Sequence, residues 1–306
     1  MRKKEKKIMI IGTRGSKLAI LQTEKVRKRL KELGYEPLIK AVRSLGDVMT
    51  DRGLYEMPEK GVFVKKLDML LLQGKIDLAV HSMKDIPLER DERLETSAVL
   101  PRDSPYDALV SKYRLDEMPE GAVIGTSSVR RKFQFLNCMD SRGVEVTIKD
   151  IRGNVDTRIK KFRRGEYDGV ILAEAGLKRL NAAADIDYER LDCDPFVPSP
   201  NQGIIAVVTR KGSEESEILK AVDDPKTRME AEVENEVLEV IGGGCSLPVG
   251  VHAHHTKGSE DKIELAVYIS VSRERHVLEK MVLSKDKRLE EARDFAERLP
   301  RWKEIK

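Results

Sequence analysis

The amino-acid sequence predicts an α/β protein with more than one domain, and three observations support this. Short apolar runs typical of buried strands alternate with amphipathic helical patterns, which favours a parallel or mixed sheet covered by helices. The alternation runs over residues 1–100 and starts again over 105–195, so we expect two similar units. At 306 residues, the chain is also too long for one ordinary core.

The first unit is predicted from the N-terminus onward. A buried strand at 8–11 precedes a helical pattern over 17–33, and Gly34 stands where a C-terminal cap glycine belongs. The same alternation then predicts a strand at 37–42, a mobile loop at 44–60, a helix at 62–73 and a strand at 77–80. The apolar side chains expected on the core face of the first helix are Leu18, Leu21, Val26 and Leu30.

The second unit repeats this order, and a third region follows it. Strands are predicted at 122–125, 144–148 and 169–172, and helices at 127–137 and 155–164. The proline-rich segment 195–200 is interpreted as a linker or hinge, followed by a strand at 204–208. A helix over 225–241, an antiparallel strand at 263–269 and a helix over 289–299 then indicate a third, α+β domain.

Composition and charge exclude several classes of protein. The 57 basic and 53 acidic residues leave a net charge of +4, too mild for the footprint of a nucleic-acid binder. No apolar run approaches the roughly 18–20 residues that cross a bilayer, and the run at 8–11 is too short for a signal peptide. Three widely spaced cysteines argue against a disulfide framework and for a reducing cytosol. We therefore expect a cytoplasmic protein without membrane or nucleic-acid partners.

Two predicted strand ends share a design suited to anions. Residues 12–16 (GTRGS) and 125–128 (GTSS) each place hydroxyl and backbone N–H groups at a helix start, where the helix dipole favours negative charge. Arg14 lies in the first turn, and Arg130 and Arg131 follow the second; arginine binds carboxylate or phosphate through a bidentate fork. Ordinary helix capping explains either turn alone, but matching turns in two units favour anion binding.

A third basic cluster follows the strand at 144–148. Arg152 and Arg158 flank the next helix start, and Arg179 closes the unit. Arginines at a helix start oppose its dipole, which indicates a bound anion, with a solvated helix end as the alternative. Several such arginines predict a substrate with many carboxylates or phosphates.

The segment 77–87 (DLAVHSMKDIP) delivers Lys84 and Asp85 to a strand end, where α/β sheets bind ligands. One carboxylate among cationic groups can stabilise a developing positive charge or carry a proton. A salt-bridged loop aspartate is an equal alternative from the sequence alone.

A glycine loop, 241–250 (IGGGCSLPVG), carries Cys245 where a ligand can approach the backbone closely. Such a cysteine can be a nucleophile or a covalent tether, whereas buried structural roles are expected for Cys138 and Cys193. No Cys or His partner lies at zinc spacing, so no metal site is predicted. Three further side chains are expected to be solvated imidazoles on a strand and turn: His252, His254 and His255.

Together these segments resemble the porphobilinogen deaminase family, also called hydroxymethylbilane synthases, of tetrapyrrole and heme biosynthesis. The resemblance runs from about residue 10 to residue 250. It rests on the motifs GTRGSKLAILQT, KGVFVKKLD, DLAVHSMKDIP, GTSSVRRKFQ, IRGNVDTR, AEAGLKRL, PNQGIIAV and GGGCSLPVG. Each motif alone is weak, but their combination in one chain is highly specific.

The resemblance implies an α/β fold with two periplasmic-binding-protein-like domains around a cleft and a smaller α+β C-terminal domain. The chain would cross between the first two domains twice. The implied boundaries are 1–101 with 202–222 for the first domain, 102–201 for the second, and 223–306 for the third, which carries the cofactor cysteine. A monomeric cytoplasmic transferase is implied.

The resemblance also implies a chemistry. A dipyrromethane cofactor, two linked pyrroles made from substrate, would be held by a thioether to Cys245. Porphobilinogen would lose ammonia to give an electrophilic azafulvene, which the free α-carbon of the tethered chain attacks. After four additions, hydrolysis would release the linear tetrapyrrole and leave the dipyrrole in place.

Roles for individual residues follow from the same resemblance. Asp85 would stabilise positive charge on the pyrrole nitrogens and assist proton transfer. Contacts to the cofactor are implied for Ser82, Lys84, Thr126, Ser127, Ser128, Arg130, Arg131, Arg152 and Arg158. Contacts to substrate or the growing chain are implied for Arg14, Ser16, Lys60, Lys65, Arg179 and Gln202.

Two positions depart from the family pattern, and two other protein classes compete with it. Asn201 stands where the family usually has glycine, and Leu45 where a polar residue is frequent. A non-enzymatic anion-binding protein of the periplasmic type would explain the two units and the arginines, but not Cys245 in its glycine loop. A nucleic-acid binder is disfavoured by the 53 acidic residues and by the absence of interleaved aromatics.

Overall fold

The computed structural model describes residues 7–42, 62–182, 185–192, 194–242, 248–270, 272–273 and 275–300. Over these residues the chain forms three β-sheets with helices between their strands, which confirms the predicted α/β class. It divides into two compact units, Met1–Arg102 with Ile204–Arg228, and Asp103–Gly203 with Met229–Lys306. The three-domain boundaries stay a prediction.

The elements of the described residues are numbered in chain order. The strands are β1 (Ile8–Arg14), β2 (Glu36–Val42), β3 (Leu78–Ser82), β4 (Leu94–Val99), β5 (Asp107–Ser111), β6 (Val123–Gly125), β7 (Thr147–Lys149), β8 (Gly169–Ala173), β9 (Glu189–Leu191), β10 (Ile205–Arg210), β11 (Val249–His255), β12 (Lys262–Ser270) and β13 (His276–Ser284). The α-helices are α1 (Lys17–Glu32), α2 (Val62–Leu72), α3 (Val129–Asp140), α4 (Val155–Arg163), α5 (Glu174–Arg179), α6 (Glu214–Leu219), α7 (Pro225–Ile241) and α8 (Arg288–Arg298).

The first unit is built on a five-stranded sheet with the order β2-β1-β3-β10-β4. Strand β1 lies parallel to β2 and β3, whereas β10 is antiparallel to both β3 and β4. The strand predicted at 204–208 is therefore confirmed as a late addition to the first sheet. Its core packs α1 against the sheet through Val26 and Leu30, together with Met9 and Leu78.

The buried face of α1 differs from the prediction. Val26 and Leu30 are buried as expected, but Leu18 and Leu21 are only half-buried. Gln22 and Thr23 take the buried positions instead, because each has a hydrogen-bond partner. The Gln22 amide donates to the Ser82 hydroxyl over 2.7 Å, and the Thr23 hydroxyl donates to the Ala19 carbonyl over 2.8 Å.

The second unit repeats the strand arrangement in a sheet with the order β7-β6-β8-β5-β9. Strand β6 is parallel to β7 and β8, and β5 is antiparallel to β8 and β9. The predicted similarity of the two α/β units is thereby confirmed strand by strand. The strand predicted at 144–148 is shorter and lies later in the chain, at β7.

The same unit contains the three-stranded antiparallel sheet β11-β12-β13. Its apolar face packs against α7 and α8 through side chains such as Val237, Val251, Leu265 and Ala292. The predicted helix over 225–241 and the strand at 263–269 are confirmed. The strand expected around His252 is confirmed as β11. Sequence patterns missed four of the strands within the described ranges: β4, β5, β9 and β13.

The proline-rich segment 195–200, interpreted as a linker or hinge, is largely buried, and it ends shortly before the boundary between the two units at Gly203 and Ile204. Its role as a linker or hinge stays a prediction. Phe196 packs into the core around Phe135, with ring centroids 6.3 Å apart, and Val197 is fully buried. The Pro198 carbonyl accepts a hydrogen bond from the Val251 N–H over 3.0 Å. Of the helices within the described ranges, none is long and apolar enough to cross a bilayer.

Candidate functional site

The turn after β1 is shaped by a close approach of side chains to Gly12. A Cβ there would lie 2.4 Å from Ile76 Cδ1 and 3.0 Å from Leu67 Cδ2, so a larger residue would require Ile76 to move. Ser16 caps α1, because its hydroxyl accepts a hydrogen bond from the Ala19 N–H over 3.3 Å. Arg14, the last residue of β1, is half-buried beside this cap.

The turn after β6 is held by its own hydroxyls. Ser128 caps α3 by accepting from the Arg131 N–H over 3.5 Å, and the Thr126 hydroxyl accepts from the Ser128 N–H over 3.2 Å. The Ser127 hydroxyl donates to the Ile151 carbonyl over 2.8 Å and accepts from the Ile151 N–H over 3.0 Å. The capping role is confirmed for Ser16 and Ser128, while ligand binding by these turns stays a prediction.

The first turn of α3 carries two buried arginines that share one buried carboxylate, Asp107 at the start of β5. Arg131 donates from Nε and Nη2 to Asp107 Oδ1 over 3.0 and 2.7 Å, and from Nη1 to the Ile171 carbonyl over 3.0 Å. Arg130 Nη2 lies 2.8 Å from Asp107 Oδ2, and its Nη1 donates to Gln134 and to the Val197 carbonyl. Sequence patterns missed Asp107; the only available signal was an acidic residue opening the apolar run 108–110.

Burial alone would raise the pKa of the Asp107 carboxyl, but the charges of Arg130 and Arg131 and hydrogen bonds from Gln202 and Arg131 hold this pKa well below its usual range. Burial, and then the charge of Arg131, lower the pKa of the Arg158 guanidinium. Arg158 lies in α4 and donates from Nε to the Gly153 carbonyl over 2.8 Å. In the described part of the chain, two guanidinium groups thus contact one carboxylate, so this cluster keeps an excess of positive charge. Arg158 lies close enough to Arg131 for the charge of Arg131 to lower its pKa.

Arg179 and Gln202 are buried where the segments 103–107 and 202–203 meet. Arg179 Nε donates to Asp103 Oδ2 over 2.7 Å, and its Nη2 donates to the Gly203 carbonyl over 2.6 Å. The Gln202 amide donates to the Pro105 carbonyl over 2.7 Å and to Asp107 Oδ1 over 2.9 Å. Gln202 therefore also acts on the arginine cluster, through Asp107.

The end of β3 delivers a second group of candidate residues in the first unit. Met83–Asp85 form a short 3-10 helix directly after Ser82, with Asp85 exposed and Lys84 half-buried. His81, just before them, is buried. Burial, followed by the charges of Arg90 and Arg14, lowers the pKa of its imidazole from 6.5 to about 3, so the ring is neutral at pH 7.

The structure separates the predicted site residues into two groups. The first unit contains Arg14, Ser16, Lys65, Ser82, Lys84 and Asp85, of which Lys65 is exposed in α2. The second unit contains Thr126, Ser127, Ser128, Arg130, Arg131, Arg152, Arg158, Arg179 and Gln202, of which Arg152 is exposed. Lys60 and Cys245 lie outside the described residues, as does the loop at 44–60 that contains Leu45.

The remaining sequence predictions concern the cysteines and the histidines of β11. Cys138 is a free, buried cysteine as predicted, and Cys193 lies outside the described residues. The expectation of solvated imidazoles was wrong for two of the three histidines of β11. His252 is buried, with its ring 5.0 Å from that of His254, and His255 Nδ1 lies 3.1 Å from Glu230 Oε1.

A comparison with known proteins supplies the family context. A family model described as "Porphobilinogen deaminase, dipyromethane cofactor binding domain" matches residues 9–218. A protein of Archaeoglobus fulgidus named "Probable porphobilinogen deaminase" is 45% identical over 293 residues, covering 95% of this chain and 97% of its own. One of the same name from Methanocella arvoryzae is 50% identical over 247 residues, covering 80% of each chain.

Solved structures are similar only at a low level. A LysR family transcriptional regulator from Pseudomonas aeruginosa, HinK, has a TM-score of 0.42 at 14% identity, covering 71% of this chain and 68% of its own. The "probable amino-acid ABC transporter extracellular-binding protein" of Bacillus subtilis has a TM-score of 0.39 at 14% identity, covering 71% and 90%.

Proposed function

The chain belongs to the porphobilinogen deaminase family, and from that premise we propose that it joins four porphobilinogen molecules head-to-tail into hydroxymethylbilane. Each addition releases one ammonia, and the product is a linear tetrapyrrole for porphyrin biosynthesis. The observation that carries this proposal is the pair Arg130 and Arg131 on Asp107, with its excess of positive charge and with Arg158 near Arg131. A cytoplasmic location and a monomeric state are part of the proposal.

The buried arginines of the second unit fit a dipyrromethane cofactor, and further contacts are proposed for residues of the first unit and for Cys245. Each pyrrole of such a group carries two carboxylates, and buried guanidinium groups near a helix N-terminus are the donors that bind carboxylates best. The residues proposed to hold the group are Ser82, Lys84, Thr126, Ser127, Ser128, Arg130, Arg131, Arg152, Arg158 and, covalently, Cys245. When bound, the cofactor supplies the pyrrole carbon to which the first substrate is joined.

Asp85 is the proposed catalytic residue. Its carboxylate is exposed on the 3-10 helix after β3 and lies next to Lys84 in the chain. A carboxylate at this position can stabilise the positive charge that develops on a substrate pyrrole nitrogen as ammonia leaves, and it can hold the proton lost from the carbon that forms the new bond.

Binding of the incoming substrate and the growing chain is proposed for the remaining cationic and polar residues. They are Arg14, Ser16, Lys60, Lys65, Arg179 and Gln202. Burial, then the charges of Arg90 and Arg14, lower the pKa of His81, so positive charge lies near the end of β3. Acetate and propionate groups on porphobilinogen would be attracted there.

The experiment that tests the tether is the intact mass of the purified protein. We expect wild-type protein to carry a covalent adduct of two pyrroles, and Cys245→Ser to lose it, because a thioether requires the sulfur. Cys138→Ser is the matched control: this thiol is buried, its Sγ lies 2.6 Å from Arg142 Nη1, and its loss should leave the adduct in place. Cys193→Ser should behave like Cys138→Ser. An adduct retained in Cys245→Ser would overturn the assignment.

Asp85→Asn tests the catalytic role. The substitution keeps the size of the side chain and removes its charge, so we expect turnover to fall by about 100-fold or more in protein that already carries the cofactor. The adduct should remain detectable by mass. Turnover close to that of the wild-type protein would remove Asp85 from the mechanism.

A further inference from the structure

The equivalence of the two sheets shows which position Asp107 occupies. In the first unit, Gly12 pairs with Ala79, and three residues later Ser82 pairs with Ile205. In the second unit, Gly125 pairs with Val170, and three residues later Ala173 pairs with Asp107. Asp107 therefore stands where the first unit has Ile205, and the two side chains are 2% and 1% exposed. The architecture of the sheet does not require a carboxylate there.

The two capped helices differ in the same way. Ser16 and Ser128 are equivalent N-caps, and the residue three positions later is Ala19 in α1 but Arg131 in α3. The residue two positions after the cap is Leu18 in α1 and Arg130 in α3. The buried carboxylate thus occurs in the unit whose helix carries the two arginines, and an apolar residue replaces it in the unit without them.

The contacts of Asp107 fix the plane of the Arg131 guanidinium. Nε and Nη2 of Arg131 both donate hydrogen bonds to Oδ1 of Asp107, and Nη1 donates to the Ile171 carbonyl. A guanidinium has five N–H groups, so these three hydrogen bonds orient Arg131 and leave donors for a ligand. Oδ2 faces Arg130, and Gln202 adds a further hydrogen bond to Oδ1.

We propose that Asp107 is a positioning residue for carboxylate recognition: it holds Arg131 and Arg130 in the orientation in which they bind the carboxylates of cofactor and substrate. The inference rests on the proposed function, because it assigns these arginines to carboxylate ligands. Asp107 acts through the arginines and touches no ligand itself.

Asp107→Asn tests the proposal, with Glu174→Gln as the matched control. Glu174 is also a buried carboxylate, 1% exposed, and its oxygens accept hydrogen bonds from Arg190, Tyr188 and Ser104. Both variants lose a buried, charge-assisted hydrogen-bond network, so both should lower the midpoint of urea unfolding. Only Asp107→Asn should raise KM for porphobilinogen, by about tenfold, and reduce the fraction of protein that carries the two-pyrrole adduct.

A double variant shows whether Asp107 acts through Arg131. In a chain that already contains Arg131→Lys, adding Asp107→Asn should raise KM by clearly less than the tenfold expected in the wild-type background, because one of the two groups that Asp107 orients is gone. If Asp107→Asn alone is not recovered folded, Gln202→Met replaces it in the same assays. It removes one hydrogen bond to Oδ1, and we expect KM to rise by about threefold.

An unchanged KM and an unchanged adduct fraction in folded Asp107→Asn would overturn the positioning role. An unchanged KM in Gln202→Met would do the same when that variant is used instead. The role would also be overturned if the effects of Asp107→Asn and Arg131→Lys on KM were fully additive. Failure of the proposed function is distinguishable, since wild-type protein would then show neither adduct nor tetrapyrrole product.

Discussion

The first and second units build the same strand–turn–helix corner, once around Gly12 and once around Gly125. A Cβ at Gly125 would lie 2.9 Å from Tyr167 Cδ1 and 3.0 Å from Val170 Cγ1, so this position is crowded as well, though less than that of Gly12. A serine caps the helix in both corners. The glycine and the cap are therefore requirements of the fold, because both corners have them whatever charges lie nearby.

The charges of the two corners differ. The second unit places Asp107, Arg130 and Arg131 at positions that are apolar in the first unit. The first unit places a buried neutral His81 where the second has Leu172, since these residues pair with Ala206 and Ala108 in equivalent register. Residues that differ between equivalent buried positions are the ones to examine for function, because packing alone does not explain them.

The largest effect is expected when the first sheet is given a carboxylate at the position equivalent to Asp107. Ile205→Asp puts a charge into a fully buried position of the first unit, among Met9, Leu100 and Val207. Without arginines equivalent to those of α3, we expect a loss of more than about 4 kcal/mol in the free energy of unfolding. Urea denaturation measures it, and Ile205→Val is the control, with a loss of about 0.5–1.5 kcal/mol. Wild-type stability in Ile205→Asp would show that the first unit also accommodates a buried carboxylate.

A pH-dependent effect on stability is expected when His81 is replaced by leucine, the residue that stands at the equivalent position, Leu172, in the second unit. The unfolded chain binds a proton at this imidazole below pH 6.5, whereas the folded chain does so only below about pH 3. Between these values, the wild-type free energy of unfolding therefore falls as the pH falls, by up to about 1.4 kcal/mol per pH unit from this group. His81→Leu should lose that contribution, so its stability relative to wild type should rise from pH 7.5 to pH 4.5.

Urea unfolding of both proteins at pH 7.5 and pH 4.5 measures this difference. The pH 7.5 measurement is the internal control, because it contains only the change in packing. A gap between the two proteins that stays constant over this range would contradict a buried, neutral His81.

The smallest effects are expected from replacing single arginines by lysine, once in α3 and once in α1. Lysine cannot reproduce the Nε and Nη2 bonds of Arg131 to Asp107, so Arg131→Lys should cost about 1.5–3 kcal/mol of stability and impair cofactor assembly or elongation at unchanged net charge. Arg27→Lys, in α1, is the control. Arg27 is about one-third exposed and pairs with Glu24 over 2.7 Å, and its replacement should cost about 0–1 kcal/mol. Urea unfolding and mass analysis of the covalent species measure both. Equal behaviour of the two variants would contradict a role of the Arg131 guanidinium in binding carboxylates.

Local sequence was sufficient for much of the architecture. The repeated strand–turn–helix order and the bounds of α7 were predicted, and helix capping was the alternative explanation for the turns at Ser16 and Ser128, because period and capping are set by residues close together in the chain. Strands β5 and β9 were missed because each is short and finds its partner far along the chain. The burial of the segment 195–200 could not be predicted from its prolines, because it depends on distant residues: the Val197 carbonyl accepts hydrogen bonds from Arg130 and Gln134.

The sequence by itself determined the fold class, the similarity of the two α/β units and the motifs that identify the family. Only the tertiary structure decided how the arginines are used. Asp107 lies 23 residues before Arg130 in the chain, and Gln202 lies 95 residues after Asp107, so no local pattern links them. They meet because β5 adds to its sheet antiparallel to β8, which places the carboxylate beside the first turn of α3. Once buried there, a single carboxylate must be paired, and that pairing sets the orientation of both guanidinium groups.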